Sequence, residues 1–144
     1  MPDGLGEESD WFNTVWDECL RGGVILSEYS KFLAQDAYIA WEAGAYIAAI
    51  LVAQAAIETH MRFETESKRG ISFFNLVEQA NISDGLRKRI HNLRVARNRW
   101  VHVPDPNDDQ DLQKDESAQH EKLAADSKEA IITMIKALCA WQWV

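Results

Sequence analysis

Residues 38–57 read YIAWEAGAYIAAILVAQAAI, and the fifteen positions from Ala43 to Ile57 carry no charge. Ala is the best helix former, and a helix that is apolar on most sides must bury nearly its whole circumference. The stretch therefore predicts a central helix. Fifteen residues that include Gly44 and Gln54 fall short of the roughly 20 apolar residues a membrane-spanning helix needs, so a protein core in water is expected around it. The helical pattern continues outward from about Ser30 to Glu66. Gly44 within it is either a weak point or a place where another helix approaches closely. Ser67 to Gly70 is the expected turn.

Upstream, Trp11, Phe12, Val15, Trp16, Cys19 and Leu20 recur at helical spacing, with Ser9 or Asp10 as N-cap and Gly22-Gly23 as stop. Val24 to Leu26 is an apolar connector. Downstream, a short helix over Phe73 to Ala80 leads to Asn81-Ile82-Ser83-Asp84, where Ser83 or Asp84 caps a fourth helix. That helix reaches about His102, since Pro104 disfavours helical geometry at Val103. The last helix, about Ala118 to Trp141, places Leu123, Ile131, Met134, Ile135 and Leu138 at helical spacing. Apolar residues nowhere alternate with period two, and no repeat or linker divides the chain. The expected architecture is all-α: one domain, 1–144, folded as an antiparallel four-helix bundle with an extra short helix.

The chain's 144 residues, 47% of them hydrophobic and six of them Trp, suit one core and exclude disorder as the default. Fifteen Lys and Arg against twenty-three Asp and Glu give a net charge of −8. A protein that coats nucleic acid or anionic membrane with its whole surface is excluded on that balance, so any nucleic-acid contact must be local. Cys19 and Cys139 have no metal-ligand spacing and no disulfide framework around them, which makes a reducing cytoplasm the simplest setting. The acidic start, with Asp3, Glu7 and Glu8, has the wrong charge for a signal peptide.

The fourth helix breaks the acidic pattern. Arg87, Lys88, Arg89, Arg94, Arg97 and Arg99 lie in it, and no acid occurs from Gly85 to Pro104. The other nine basic residues share the rest of the chain with all twenty-three acids, so the molecule is polarised. With Leu86 as zero and about 100° per residue, Leu86, Ile90, Leu93 and Trp100 form an inward stripe, and Arg97 falls inside it at about 20°. An Arg there requires a partner, and Glu58 of the central helix is the expected one. By the same count His91, Asn98 and His102 fall at about 120° to 160°, on a second face shared with Val95 and edged by Arg94 and Arg87.

Arg97-Asn98-Arg99-Trp100-Val101-His102 resembles the signature of the HEPN family: an Arg, a polar residue after it, and a His after four to six intervening residues. Its place near the end of a late helix in a small α-bundle is similar too. The Ala-rich helix, with Tyr46-Ile47-Ala48-Ala49 running into Ala56-Ile57-Glu58, resembles the second long helix of those domains. The likeness covers about Asp36 to Leu138 in architecture, and its specific part is the six-residue motif. It implies a homodimer whose motif helices line a shared cleft. It also implies a metal-independent endoribonuclease of toxin–antitoxin or defence systems, without cofactor, facing an antitoxin or nucleotidyltransferase-type partner protein. Many members are silent binding modules instead.

The residue types suit that chemistry. Attack of a ribose 2′-OH on the adjacent phosphate needs a base, an acid and a positive group beside the developing charge. His102 can serve as base or acid, Arg97 can hold the phosphate, and Asn98 can orient either the imidazole or the phosphate. Arg87, Lys88, Arg94 and Arg99 are the candidate RNA contacts. Arg97 and His102 differ by about 140° on an ideal helix, so shared work on one phosphate needs fraying, a long Arg reach or a second subunit. The bland reading of His102 is a helix-terminal imidazole bonded to the last carbonyls.

Other constellations are weaker. His60 and Glu64 share a helix face without any His-Glu-x-x-His or Glu-x-x-His pattern, and His60 reads as a polar surface residue. Asp105, Asn107, Asp109, Asp111, Leu112 and Glu116 match several EF-hand positions. Gln110 stands where Gly is needed, and Pro104 and Pro106 break the entering helix, so the segment reads as a solvated acidic loop and no metal is expected. Trp141 to Val144 reads as core packing or an oligomer contact.

Overall fold

The computed structural model describes residues 27–65, 70–101 and 116–140, together with Asn13, Thr14 and Asp17. From residue 27 on, the described residues form five helices and no strand: α1 (Glu28–Glu42), α2 (Tyr46–Thr65), α3 (Phe73–Gln79), α4 (Asp84–Val101) and α5 (Glu116–Leu138). The protein is an all-α bundle, as the periodicity predicts. Asn13, Thr14 and Asp17, polar positions of the expected first helix, are helical and exposed. The apolar positions of that helix, the Val24 to Leu26 connector, residues 66–69, His102, the acidic loop over 102–115 and Trp141 to Val144 lie outside the described residues.

Three helices start on serine hydroxyls. The Ser27, Ser72 and Ser83 Oγ atoms accept the N–H groups of Ser30, Asn75 and Leu86, each at 3.1 Å. Each bond satisfies one of the donors that a helix start leaves unpaired. Ser83, not Asp84, is thus the cap of α4, while Asp84 supplies a carboxylate to its first turn.

The long helix expected over Ser30 to Glu66 is two helices. Gly44 adopts φ +80°, its N–H donates to the Trp41 carbonyl at 3.1 Å, and the Ala45 N–H reaches back to Ala40 at 2.8 Å. This pair of bonds is a Schellman motif, which ends a helix at a left-handed residue that glycine adopts without steric cost. Nothing lies within 4 Å of the position a Gly44 Cβ would take, so close helix approach is not its role. The connection from Ala43 to Ala45 folds α1 back onto α2, and this pair makes the most extensive contact in the bundle.

The second of these helices, α2, is the central one. Ala49, Ile50, Ala53, Ala56 and Ile57 are wholly buried, and α2 touches each of the other four helices. Small Ala side chains permit that close approach, and each buried Ile contributes about 1.5–3 kcal/mol. Ile131, Met134, Ile135 and Leu138 of α5 complete the core from the opposite side. The inward stripe of α4 enters it through buried Ile90 and Leu93, with Leu86 and Trp100 partly buried against the cluster. That anchoring fixes which face of α4 looks outward. On α1, Tyr29, Phe32 and Ile39 remain exposed.

His60 is not a surface residue. Its side chain is fully buried on α2, with Nε2 3.9 Å from Glu64 Oε1. Burial pushes its pKa down from 6.5 to about 4, so the imidazole is neutral at pH 7. Desolvation pushes the Glu64 carboxyl up. A His beside Glu64 and Arg62 looks solvated in the sequence, whereas its position continues the Ala53, Ala56, Ile57 face at helical spacing.

A candidate nucleic-acid interface on α4

The basic residues of α4 do three different jobs. Arg87 is turned onto its own chain: Nη2 donates to the Ala80 carbonyl at 2.7 Å and Nε to the Val77 carbonyl at 3.2 Å. Nη2 also lies 3.4 Å from the Ile82 carbonyl, and Nη1 pairs with Asp84 at 3.3 Å. The planar fork thereby locks the α3–α4 connection, whose carbonyls would otherwise lack helical partners. An RNA contact by Arg87, expected from sequence, would have to draw on a guanidinium already engaged in this way.

Replacing Arg87 by Ala is expected to cost about 2 kcal/mol, because hydrogen bonds from a charged donor to partly buried carbonyls are lost. Arg87→Lys should recover less than half, since one ammonium cannot span carbonyls from Val77 to Ile82. Urea denaturation midpoints of the three proteins check this, and an Arg87→Ala midpoint equal to wild type would remove the clamp.

Arg89 and Arg99 tie α4 to α5. Arg89 Nη1 meets Glu129 at 3.0 Å, and Arg99 Nη1 lies 3.7 Å from Asp126 Oδ2. The same Asp126 oxygen accepts the indole N–H of Trp100 at 3.0 Å. Arg99 remains exposed, so an RNA contact from it would compete with Asp126 rather than replace a buried bond.

Lys88, Arg94 and Arg97 form the third group. Among the described residues no carboxylate lies within 4.0 Å of any of them. Arg97 is half-buried on the inward stripe, as its helical angle requires, but Glu58 is not its partner. Glu58 instead takes Arg62 Nη2 at 2.7 Å, and the same Nη2 donates to the Ile71 carbonyl at 2.8 Å. Arg62 therefore holds the chain after α2 much as Arg87 holds the chain after α3. The sequence carried a signal for this pair in its four-residue spacing, which outranks a guess across helices.

The Arg97 guanidinium goes the other way. Nη1 donates to Asn98 Oδ1 at 3.3 Å, although consecutive helical residues do not ordinarily face each other. Its long side chain thus carries the charge from the inward stripe toward Asn98. Asn98 is half-buried, and Lys88 and Val95 are exposed on the same side of α4.

One participant had no sequence signal. Phe74 of α3 projects outward beside α4, with the His91 ring 5.1 Å away centroid to centroid and Arg94 Cζ 5.3 Å from its ring. His91 Nε2 is held 2.7 Å from Glu78 Oε1. Nothing in a Phe-Phe pair tells which ring goes inward; packing decides it, with Phe73 buried and Phe74 exposed.

Among the described residues no group of three or more His, Cys, Asp or Glu could hold a metal ion, and no described helix is long and apolar enough to cross a membrane. Comparison with family models, characterised proteins and solved structures returned no match. The class of protein that the fold defines is thus an all-α bundle with a basic helix on its outside.

Proposed function

We propose that the chain is a HEPN-like, metal-independent endoribonuclease, a toxin or defence effector, that cleaves RNA by 2′-OH attack at a site formed from Arg97, Asn98 and His102. The observation that carries this reading is the Arg97–Asn98 pair, joined at 3.3 Å on the same helix as Arg94 and Lys88, with no carboxylate of the described residues neutralising any of these three cations. In a domain with a net charge of −8, such a face suits a phosphate chain. Lys88 and Arg94, with Arg99 more weakly, position the strand. Arg97 steadies the charge that develops on the attacked phosphate, and His102 moves the proton.

The active form proposed is a two-fold homodimer with α4 near the axis, which supplies two His102 side chains, one as base and one as acid. Light scattering at working concentration should return twice the chain's 16.4 kDa, and a monomer alone would remove the shared site. The setting is the cytoplasm, where Cys19 and Cys139 stay reduced. The direct test is incubation of purified protein with RNA in EDTA. Products ending in 2′,3′-cyclic phosphate and 5′-OH are expected, with DNA spared because it lacks the nucleophile.

A second reading draws on the exposed Phe74 and Val95 beside Arg94. In it the domain is catalytically silent, and α4 binds nucleic acid or a partner such as an antitoxin or nucleotidyltransferase-type protein. Wild-type protein that cleaves no RNA under any condition would select it.

A further inference from the structure

We infer that Phe74, in contact with His91 and Arg94, is a base-stacking subsite for single-stranded RNA, with Arg94 one helical turn before Asn98. It rests on the reading of α4 as an RNA surface and adds to it the part that would grip a base. Helix α3 presents two consecutive aromatics about 100° apart: Phe73 enters the core at 9% exposure, while Phe74 stands out at 47%. Leaving a phenyl ring in water gains nothing for folding, yet this ring is held in place. The His91 ring lies 5.1 Å from it at an interplanar angle of 38°, and Glu78 fixes His91 in turn. Arg87 ties the α3–α4 connection to α4 through the carbonyls of Val77 and Ala80, so the ring cannot drift relative to α4.

The cation at this ring completes the pattern. Arg94 Cζ sits 5.3 Å from the Phe74 centroid, and its Nε is buried without a hydrogen-bond partner. An aromatic ring with a guanidinium over it, and no carboxylate of the described residues within 4.0 Å of that guanidinium, suits what single-stranded nucleic acid offers, a base with a π-face and a phosphate beside it. A protein partner of the ordinary kind would want a contiguous apolar area. Here the ring is bordered by polar His91, itself paired with Glu78, and by the cation Arg94, so no contiguous apolar area extends from it. Arg94 precedes Asn98 by one turn, roughly 6 Å of rise. A base stacked on Phe74 would therefore leave a neighbouring phosphate within reach of Arg97. Paired bases do not expose their faces, so the strand must be single.

The test uses a short single-stranded 2′-O-methyl oligonucleotide with 2-aminopurine in place of adenine, which cannot be cut by 2′-OH attack and whose fluorescence falls on stacking. Wild type should bind it and quench it. Phe74→Leu, which keeps the apolar bulk, should bind about ten-fold more weakly and lose the quench, while Phe74→Trp should keep both. Arg94→Gln should weaken binding and reduce the slope of log K against log salt by roughly one contact's worth. Melting curves of each variant confirm that the fold is intact.

Phe74→Leu that binds and quenches like wild type overturns the subsite, and so does a wild-type protein that binds no oligonucleotide. A parallel assay on ordinary RNA separates the two readings. Cleavage with a silent Phe74 leaves the nuclease and removes the subsite. Phe74-dependent binding without cleavage keeps the subsite and removes the nuclease.

Discussion

His102→Ala should abolish RNA cleavage, with a rate loss of roughly 10²–10⁴-fold, while leaving the melting temperature and the dimer nearly unchanged. The size of the effect follows from its role. A positioned imidazole lowers the barrier by carrying the 2′-OH proton or by delivering one to the leaving 5′-oxygen, and a dimer with both copies replaced has neither. One copy acting as base and the other as acid requires the two imidazoles to hold different protonation states at the working pH. A bell-shaped pH–rate profile is the corresponding signature. Lys88→Ala, by contrast, should act on binding: Kd rises and the salt dependence flattens, with the single-turnover rate at saturation preserved. Cleavage that persists in a purified His102→Ala dimer, or that stops with EDTA and returns with metal, would sink the mechanism.

Legibility in the sequence varied with the kind of signal. The start of α4 was readable because a hydroxyl just before an apolar run does a local job, and Ser83, one of the two caps expected, performs it at 3.1 Å. The inward stripe of α4 was readable because Ile90 and Leu93 follow the helical period into the core. The α1–α2 break was not, because three residues of turn interrupt an apolar pattern without changing its composition. Gly44 was visible, but its left-handed φ was not.

Partners across helices were the least legible. Glu58 could serve Arg97 or Arg62, and the shorter local path decided it at 2.7 Å. Of the six cations of α4, helical phase set only Arg97 apart, on the inward stripe. Only their surroundings separate a backbone clamp at Arg87, inter-helix ties at Arg89 and Arg99, and Lys88, Arg94 and Arg97, which no carboxylate of the described residues approaches within 4.0 Å. The proposed site occupies the part of the helix whose charges the fold itself uses least, which is where an outside anion gains most.

The buried imidazole of His60 should make the fold acid-sensitive in a defined window. In the unfolded chain His60 takes up its proton near pH 6.5, whereas in the fold desolvation delays this to about 4. Between those values the unfolded state binds more protons, so stability falls as pH falls from about 6.5 and the contribution is fully lost below about 4. A difference of this size corresponds to about 3 kcal/mol, a large share of a small domain's stability. Glu64, 3.9 Å from His60, works in the opposite sense. Its raised pKa means the fold takes up that proton before the unfolded chain does, which adds stability as pH falls toward its ordinary value and makes the net slope shallower. The other carboxylates titrate in the same range, so the wild-type curve alone does not isolate His60. His60→Met does, because it keeps an apolar side chain in the same space and has nothing to protonate. Urea midpoints at pH 7, 5.5 and 4.5 should fall more steeply for wild type than for His60→Met, the gap closing or reversing toward low pH. Parallel curves would mean that His60 takes up its proton in the folded state as easily as in water, and with that the tightly sealed interior around α2 would be wrong.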